Sequence, residues 1–363
     1  MSHEAVVDTD TRAILQPCIS VQKLSKVYRK PREKVGLLGL KGKEQSGFVA
    51  VDKVSFAVRP GEIFVIMGLS GSGKSTIIRM LNRLIDITEG SVAVNGKDVV
   101  AMDQDALRTY RNSTVNMVFQ HFGLFPHKSL LENVAFGLKV RGATEADRTE
   151  KATEALRVVG LGDRLHALPE QLSGGQRQRV GLARALATDA EILLMDEPFS
   201  ALDPLIRKEM QELLIQLQRD LNKTIVFVTH DLNEAMHLGD QVLVMNQGKM
   251  AQLGKPIDLL DAPADAYIEE FTSDVDRSRV VTARMLAAPP RVGYEFKTEP
   301  LDPSSTEVAR VTPETKLSDL MPVFAAGRTM IEVVRPEDGK NYGDISLTRA
   351  LEALSPKGDD HGA

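Results

Sequence analysis

The chain has 363 residues, 42% of them hydrophobic, with a formal net charge of -5 and a single cysteine. That length supports more than one hydrophobic core, and the acidic balance argues against a dedicated nucleic-acid binder, which is ordinarily basic. Cys18 alone excludes an intramolecular disulfide and a cysteine-based metal cluster, as in proteins of a reduced compartment.

The opening residues, Met1 to Asp8, have neither a basic region nor a following apolar stretch, so no signal peptide is expected. No apolar run approaches the roughly 20 residues that cross a bilayer. Any membrane connection is therefore expected through a partner. Residues 1–18 read as a loose tail.

Ile19 to Tyr28 alternates as a strand does, and Phe48 to Val58 is a second strand. Between them, residues 29–47 are rich in Lys, Arg and Gly and read as an inserted solvated loop, with contact to anionic lipid as the alternative. Arg59-Pro60-Gly61 is a turn, and Ile63-Phe64-Val65-Ile66-Met67 is the unbroken apolar run of a buried strand. The next residues, Gly68 to Thr76, fit G-x-x-x-x-G-K-[ST] and lead into the helical spacing of Ile77 to Leu81. Glycines allow the backbone to turn its N–H groups inward as an anion nest at a helix N-terminus. Lys74 would reach the β- and γ-phosphate oxygens of a nucleotide, and the Ser75 hydroxyl would ligate Mg²⁺. The chain is therefore expected to bind a nucleoside triphosphate through Gly68, Ser70, Gly71, Gly73, Lys74, Ser75 and Thr76.

Further on, Gly90 to Lys97 reads as a strand running into an Asn-Gly turn, and Val115 to Phe119 as a short strand ending at Gln120. From Ser129 to about Arg164 the pattern is helical, and after Leu172-Ser173-Gly174-Gly175-Gln176 a strong helix covers Arg177 to Ala187. Ile192 to Glu197 is a buried strand ending in two carboxylates. Leu205 to Leu221 is a helix, and Thr224 to His230 and Gln241 to Met245 are further strands. Strands alternating with helices predict a layered α/β domain with a largely parallel core sheet, interrupted by a helical insertion. Past Val275 the character changes. Pro-rich stretches near 287–290 and 300–305 read as linker, and β-α-β-β-α in outline follows from Val308. Residues 357–363 read as a disordered tail.

At the strand exit, Asp196 would hold Mg²⁺ through its water shell while Glu197 polarises an attacking water. An Asp-Glu pair is more often a solvated turn, but its place after Ile-Leu-Leu-Met and downstream of the phosphate loop reverses those odds. His230, also ending a strand, would hydrogen-bond a γ-phosphate or that water.

Leu172-Ser173-Gly174-Gly175-Gln176 resembles the signature of the ATP-binding cassette (ABC) family. The resemblance covers residues 19 to about 285. It implies an ABC-type P-loop nucleotide-binding fold, α/β with a helical subdomain at about 121–185, using ATP and Mg²⁺. In that family Ser173, Gly174, Gly175 and Gln176 would contact the ATP held by the opposite subunit, so a head-to-tail homodimer is implied. Gln120 matches the glutamine that senses Mg²⁺ and the membrane partner, Asp203 lies in the loop linking the two sites, and His230 matches the switch histidine. Tyr28 is placed like the aromatic residue that stacks on adenine, although a tyrosine ending a strand is packing just as often.

The segments 68–76, 195–207 and 229–236 are similar to the ATPase subunit of glycine betaine/proline uptake systems. That resemblance implies a translocase-type ATPase on the cytoplasmic face of the membrane. It would work with integral-membrane permease subunits and a substrate-binding protein, without nucleic acid. Residues 306–356, beyond a linker at 286–305, resemble a single CBS motif, either paired across the dimer or a degenerate remnant. Other readings stay open: choline or amino-acid cargo, a soluble ABC ATPase acting on ribosomes or DNA, or a regulatory nucleotide-binding module without turnover. One phosphate loop and no heptad run disfavour the ribosome or DNA reading, while Glu197 and His230 disfavour the module without turnover.

Overall fold

The computed structural model describes residues 16–29, 47–119, 123–273, 275–288, 309–335 and 339–354. Gln120, nearly all of the 29–47 insertion, most of the 286–305 linker and both expected tails, save Gln16–Cys18, lie outside them. The chain divides into two compact units, one within residues 1–228 and 245–250, the other within 229–244 and 251–363.

The first unit opens with β1 (Ile19–Tyr28) and β2 (Phe48–Val58), at the bounds expected from the sequence. They pair antiparallel from Ile19 opposite Val58 to Tyr28 opposite Phe48. β3 (Ile63–Met67) is buried at every position, as a strand covered on both faces must be. It is followed by α1 (Lys74–Leu81), β4 (Glu89–Val94) and β5 (Lys97–Asp98). Asn95 and Gly96, both at positive φ, make the two-residue turn between β4 and β5, a conformation these two residue types adopt at least cost.

After α2 (Gln104–Thr109) and β6 (Val115–Val118) comes the helical stretch. It holds α3 (Leu130–Val140), α4 (Glu145–Val158) and α5 (Gly174–Ala187). Each begins at a side-chain cap. Ser129 and Glu132 form a capping box on α3, Thr144 caps α4, and Ser173 with Gln176 forms a capping box on α5. Fully buried Asn133 organises the turn before α3, accepting from Phe125 N and donating to the carbonyls of Phe125, Lys128 and Ser129. β7 (Ile192–Asp196), α6 (Pro204–Leu221) and β8 (Thr224–Thr229) follow.

The expected parallel core is present, since β6, β7 and β8 pair in parallel. It belongs to a six-stranded sheet of order β10-β9-β3-β8-β7-β6, completed by β9 (Gln241–Asn246) and β10 (Lys249–Gly254). The strands β1, β2, β4 and β5 do not join it. They form a separate antiparallel sheet of order β2-β1-β4-β5.

In the second unit α7 (Leu232–Leu238) is capped by Asp231, and α8 (Pro256–Asp261), α9 (Ala266–Thr272), α10 (Arg277–Val280) and α11 (Ala283–Leu286) are short. Beyond them β11 (Ala309–Val311), α12 (Leu317–Ala325), β12 (Met330–Val334), β13 (Asn341–Ser346) and α13 (Leu347–Leu354) make a three-stranded sheet with two helices. β11 runs parallel to β12, and β12 antiparallel to β13. One core joins Val281 and Leu286 to Leu317, Phe324, Ile331 and Ile345, drawing on both sides of the expected linker. Ala288 also exchanges two backbone hydrogen bonds with Asp344 on β13.

Candidate nucleotide site

Between β3 and α1 the backbone turns through three glycines at positive φ, Gly68, Gly71 and Gly73. Space as well as torsion requires two of them. A Cβ at Gly68 would fall 2.2 Å from the Met245 carbonyl oxygen, and one at Gly73 2.5 Å from that of Ala50. At Gly71 a Cβ would meet nothing within 4 Å, and Ser70 beside it is exposed. The loop is thus packed against the fold at its ends and open at its crest.

Lys74, the first residue of α1, is only 4% exposed. Its ammonium donates to the carbonyls of Gly68 at 2.8 Å and Leu69 at 3.0 Å. Burial pushes its pKa below the usual lysine value, while the carboxylates of Glu197 and Asp196 act in the opposite sense. Ser75 donates its hydroxyl to Asp196 Oδ1 at 2.7 Å, and Arg79 Nη2 lies 3.5 Å from Asp196 Oδ2. Asp196 is 5% exposed, so its charge sits among these donors rather than in water. Thr76, next on α1, is half-buried.

Glu197 follows at the end of β7 with φ at +47°, a left-handed conformation uncommon outside glycine. Its N–H donates to Val228 O at 3.1 Å, and its carbonyl accepts from Ser200 N and Oγ. The backbone is therefore held from both sides while the side chain stays half-buried.

The phosphate loop, Lys74, Ser75, Asp196 and Glu197 come together in one unit. Of the other expected residues, Gln120 lies outside the described residues. Ser173 caps α5, its hydroxyl accepting from Gln176 N and its own N–H bonded by Gln176 Oε1. Gly174 is exposed, whereas Gly175 is buried, with Ile206 Cγ2 2.3 Å from where its Cβ would be. Asp203 caps α6 through Ile206 N. Tyr28 ends β1, 41% exposed, with Lys26 Nζ 5.2 Å from its ring centre. His230 is exposed and belongs to the second unit, where Thr229 Oγ1 donates to buried Glu234 at 2.6 Å. Arg79 is not part of the phosphate-loop pattern. The available signal was its place one helical turn after Ser75.

Residues 51–200 match the ABC transporter family. The chain is 47% identical over 285 residues to the glycine betaine/carnitine transport ATP-binding protein GbuA of Listeria monocytogenes, covering 76% of this chain and 72% of that one. The chain belongs to the ABC transporter family of ATP-binding proteins. It is also 49% identical over 272 residues to the glycine betaine transport ATP-binding protein OpuAA of Bacillus subtilis, covering 73% of this chain. That match spans 65% of the length of OpuAA. Among solved structures, the dimeric post-hydrolysis state of the ATP-binding cassette MJ0796 bound to ADP and Pi is similar, with TM-score 0.57 and 34% identity. The similarity covers 66% of this chain and 98% of that one. The ABC fold thus accounts for the P-loop α/β core described above.

The residues fit ATP and Mg²⁺ on two grounds. The glycine loop leaves its crest open, and among the described residues the ammonium beneath it bonds only loop carbonyls that phosphate oxygens would replace. A hydroxyl and a carboxylate within hydrogen-bond reach are the hard oxygen donors that Mg²⁺ takes.

Proposed function

We propose that the chain is the ATP-hydrolysing subunit of an importer for glycine betaine, proline or a related quaternary amine. The observation that carries the ATPase part is the Ser75–Asp196 hydrogen bond, which closes the phosphate loop onto the carboxylate-bearing strand beside Lys74. Lys74 holds the β- and γ-phosphates, with the loop amides from Gly68 to Thr76 around them. Ser75 and Asp196, with Gln120, would hold Mg²⁺, which supplies neutralisation of phosphate charge. Glu197 accepts the proton of a water whose oxygen bonds to the γ-phosphorus as the bond to the ADP oxygen breaks. His230 steadies the γ-phosphate and Tyr28 stacks on adenine.

Ser173, Gly174, Gly175, Gln176 and Asp203 act across a homodimer, each subunit completing the other's site. The second half of the cycle lies in separate permease subunits, fed by a substrate-binding protein. The chain attaches to them at the cytoplasmic face. No helix among the described residues is long and apolar enough to cross a membrane. The β11 to α13 segment is a single CBS-like motif, either paired across the dimer or a degenerate remnant. What supports the cargo is the naming of the relatives, at 47% and 49% identity, for glycine betaine.

The test is uptake of radiolabelled glycine betaine, choline and proline in cells lacking their own transporters. The chain is expressed with its neighbouring permease and binding protein, and Lys74→Ala is the control. Glycine betaine uptake lost in Lys74→Ala supports the reading. No uptake of any of the three, with ATPase activity intact, discards the cargo and keeps the enzyme.

A further inference from the structure

The loop from Glu197 to Asp203 is gripped at both ends by one helix. Near its start, Gln178 on α5 donates Nε2 to the carbonyl oxygen of Pro198, the residue directly after Glu197. Near its end, Gly175 on the same helix packs against Ile206 in the first turn of α6, so closely that a Cβ would sit 2.3 Å from Ile206 Cγ2. Arg179 on α5 adds an ion pair with Glu209 on α6 at 3.2 Å.

Gln178 is 2% exposed, and its Oε1 is buried without a hydrogen-bond partner among the described residues. A buried acceptor left unpaired is costly, and an apolar side chain of the same length would avoid that cost. The amide is therefore not explained by packing. Its donor end meets the carbonyl of the residue that directly follows Glu197.

Glu197 needs such support. Its φ of +47° is a strained backbone for a side-chain-bearing residue, held by Val228 O on one side and Ser200 on the other. Pro198 has no N–H, so its carbonyl is the only hydrogen-bonding backbone group by which that residue can be anchored.

We propose that Gln178 is a positioning residue for hydrolysis, fixing Glu197 through the Pro198 carbonyl to helix α5. This rests on the reading of Glu197 as the general base. Because α5 starts at Ser173 and Gly174, a displacement at that end of the helix reaches the base through one buried hydrogen bond. The Gly175–Ile206 contact carries the same movement to Asp203.

The experiment uses the full-length chain and Mg-ATP. Gln178→Met keeps length and bulk but deletes the donor, and Gln178→Asn keeps the amide but draws it back by one methylene. The readouts are kcat, KM, and nucleotide-binding stoichiometry, together with single-turnover hydrolysis of each variant alone and in a Glu197→Gln background. Either variant that binds ATP at full stoichiometry lowers kcat by about 10- to 100-fold, the usual cost of a misplaced catalytic group. KM stays within about twofold, and neither variant adds a further loss to Glu197→Gln, because both act on the same group. An unchanged kcat in both variants, or a loss that multiplies with that of Glu197→Gln, overturns the proposal. Normal turnover in Glu197→Gln alone removes the base assignment instead, and the proposal with it.

Discussion

The Ser75 hydroxyl donates to Asp196 Oδ1 across 2.7 Å, joining residues 121 positions apart in sequence. It links the first turn of α1 to the last residue of β7, the two places where a metal-bound triphosphate is held in this reading. Asp196→Asn preserves shape and a hydrogen-bonding group while removing the charge. The expected result is a loss of hydrolysis of about 100-fold or more, with chelation of Mg²⁺ producing a comparable loss in the parent protein. Steady-state ATPase assays with and without a chelator check both.

Lys74 carries its charge in a buried place, and desolvation holds its pKa below the ordinary lysine value. The unfolded chain binds its proton up to about pH 10.4. Between the lowered folded value and that pH, the unfolded state holds more protons, so this group's contribution to stability rises with pH. The penalty is present in full at lower pH and is relieved as pH climbs through the folded pKa. Compared with Lys74→Met, the parent protein should therefore gain relative stability in the alkaline range. Paired urea midpoints from pH 7 to about 10.4 measure it.

Gly68 and Gly71 both have positive φ, at 145° and 80°, yet they differ in surroundings. An alanine at Gly71 meets open space and bears only the torsional cost, about 1–2 kcal/mol. At Gly68 it collides with the Met245 carbonyl oxygen at 2.2 Å, a backbone atom that cannot step aside. Gly68→Ala should destabilise by about 3 kcal/mol or more, with Gly71→Ala well below it. Denaturant unfolding of the two variants, side by side, decides between them.

In the second unit, the Arg277 side chain is 11% exposed and pairs with Asp261. It also donates to Leu260 O at 3.0 Å and to Ala353 O at 2.7 Å, binding the ends of α8 and α13. Arg277→Met leaves a partly buried carboxylate and two carbonyls without their cation. Asp261 keeps 30% exposure, so the expected cost is near the low end for a broken buried pair, about 3 kcal/mol. Faster hydrogen exchange of β12 amides, with β7 amides unchanged, is the outcome that checks it.

Much of this fold is legible locally. Alternation set β1 at its observed bounds, and apolar runs marked β3, β7 and β8, because burial on one or both faces is written in consecutive residues. The phosphate loop is legible for a related reason, since its glycines, lysine and hydroxyl act within nine residues. The signature stretch was legible only as a resemblance, and the structure shows its Ser173 and Gln176 occupied with capping α5.

The sequence by itself determined which segments are strands and helices, where the triphosphate loop lies, and the family to which the chain belongs. Those properties depend on side-chain periodicity, turn chemistry and short-range spacing. Only the tertiary structure decided that β1, β2, β4 and β5 leave the core to form their own antiparallel sheet, because strand pairing depends on partners far away in the chain. It alone brought Ser75 to Asp196 and set Gln178 against Pro198. It alone drew the residues before and after the linker into one core. Such contacts form when distant surfaces are buried together, and no local pattern records them.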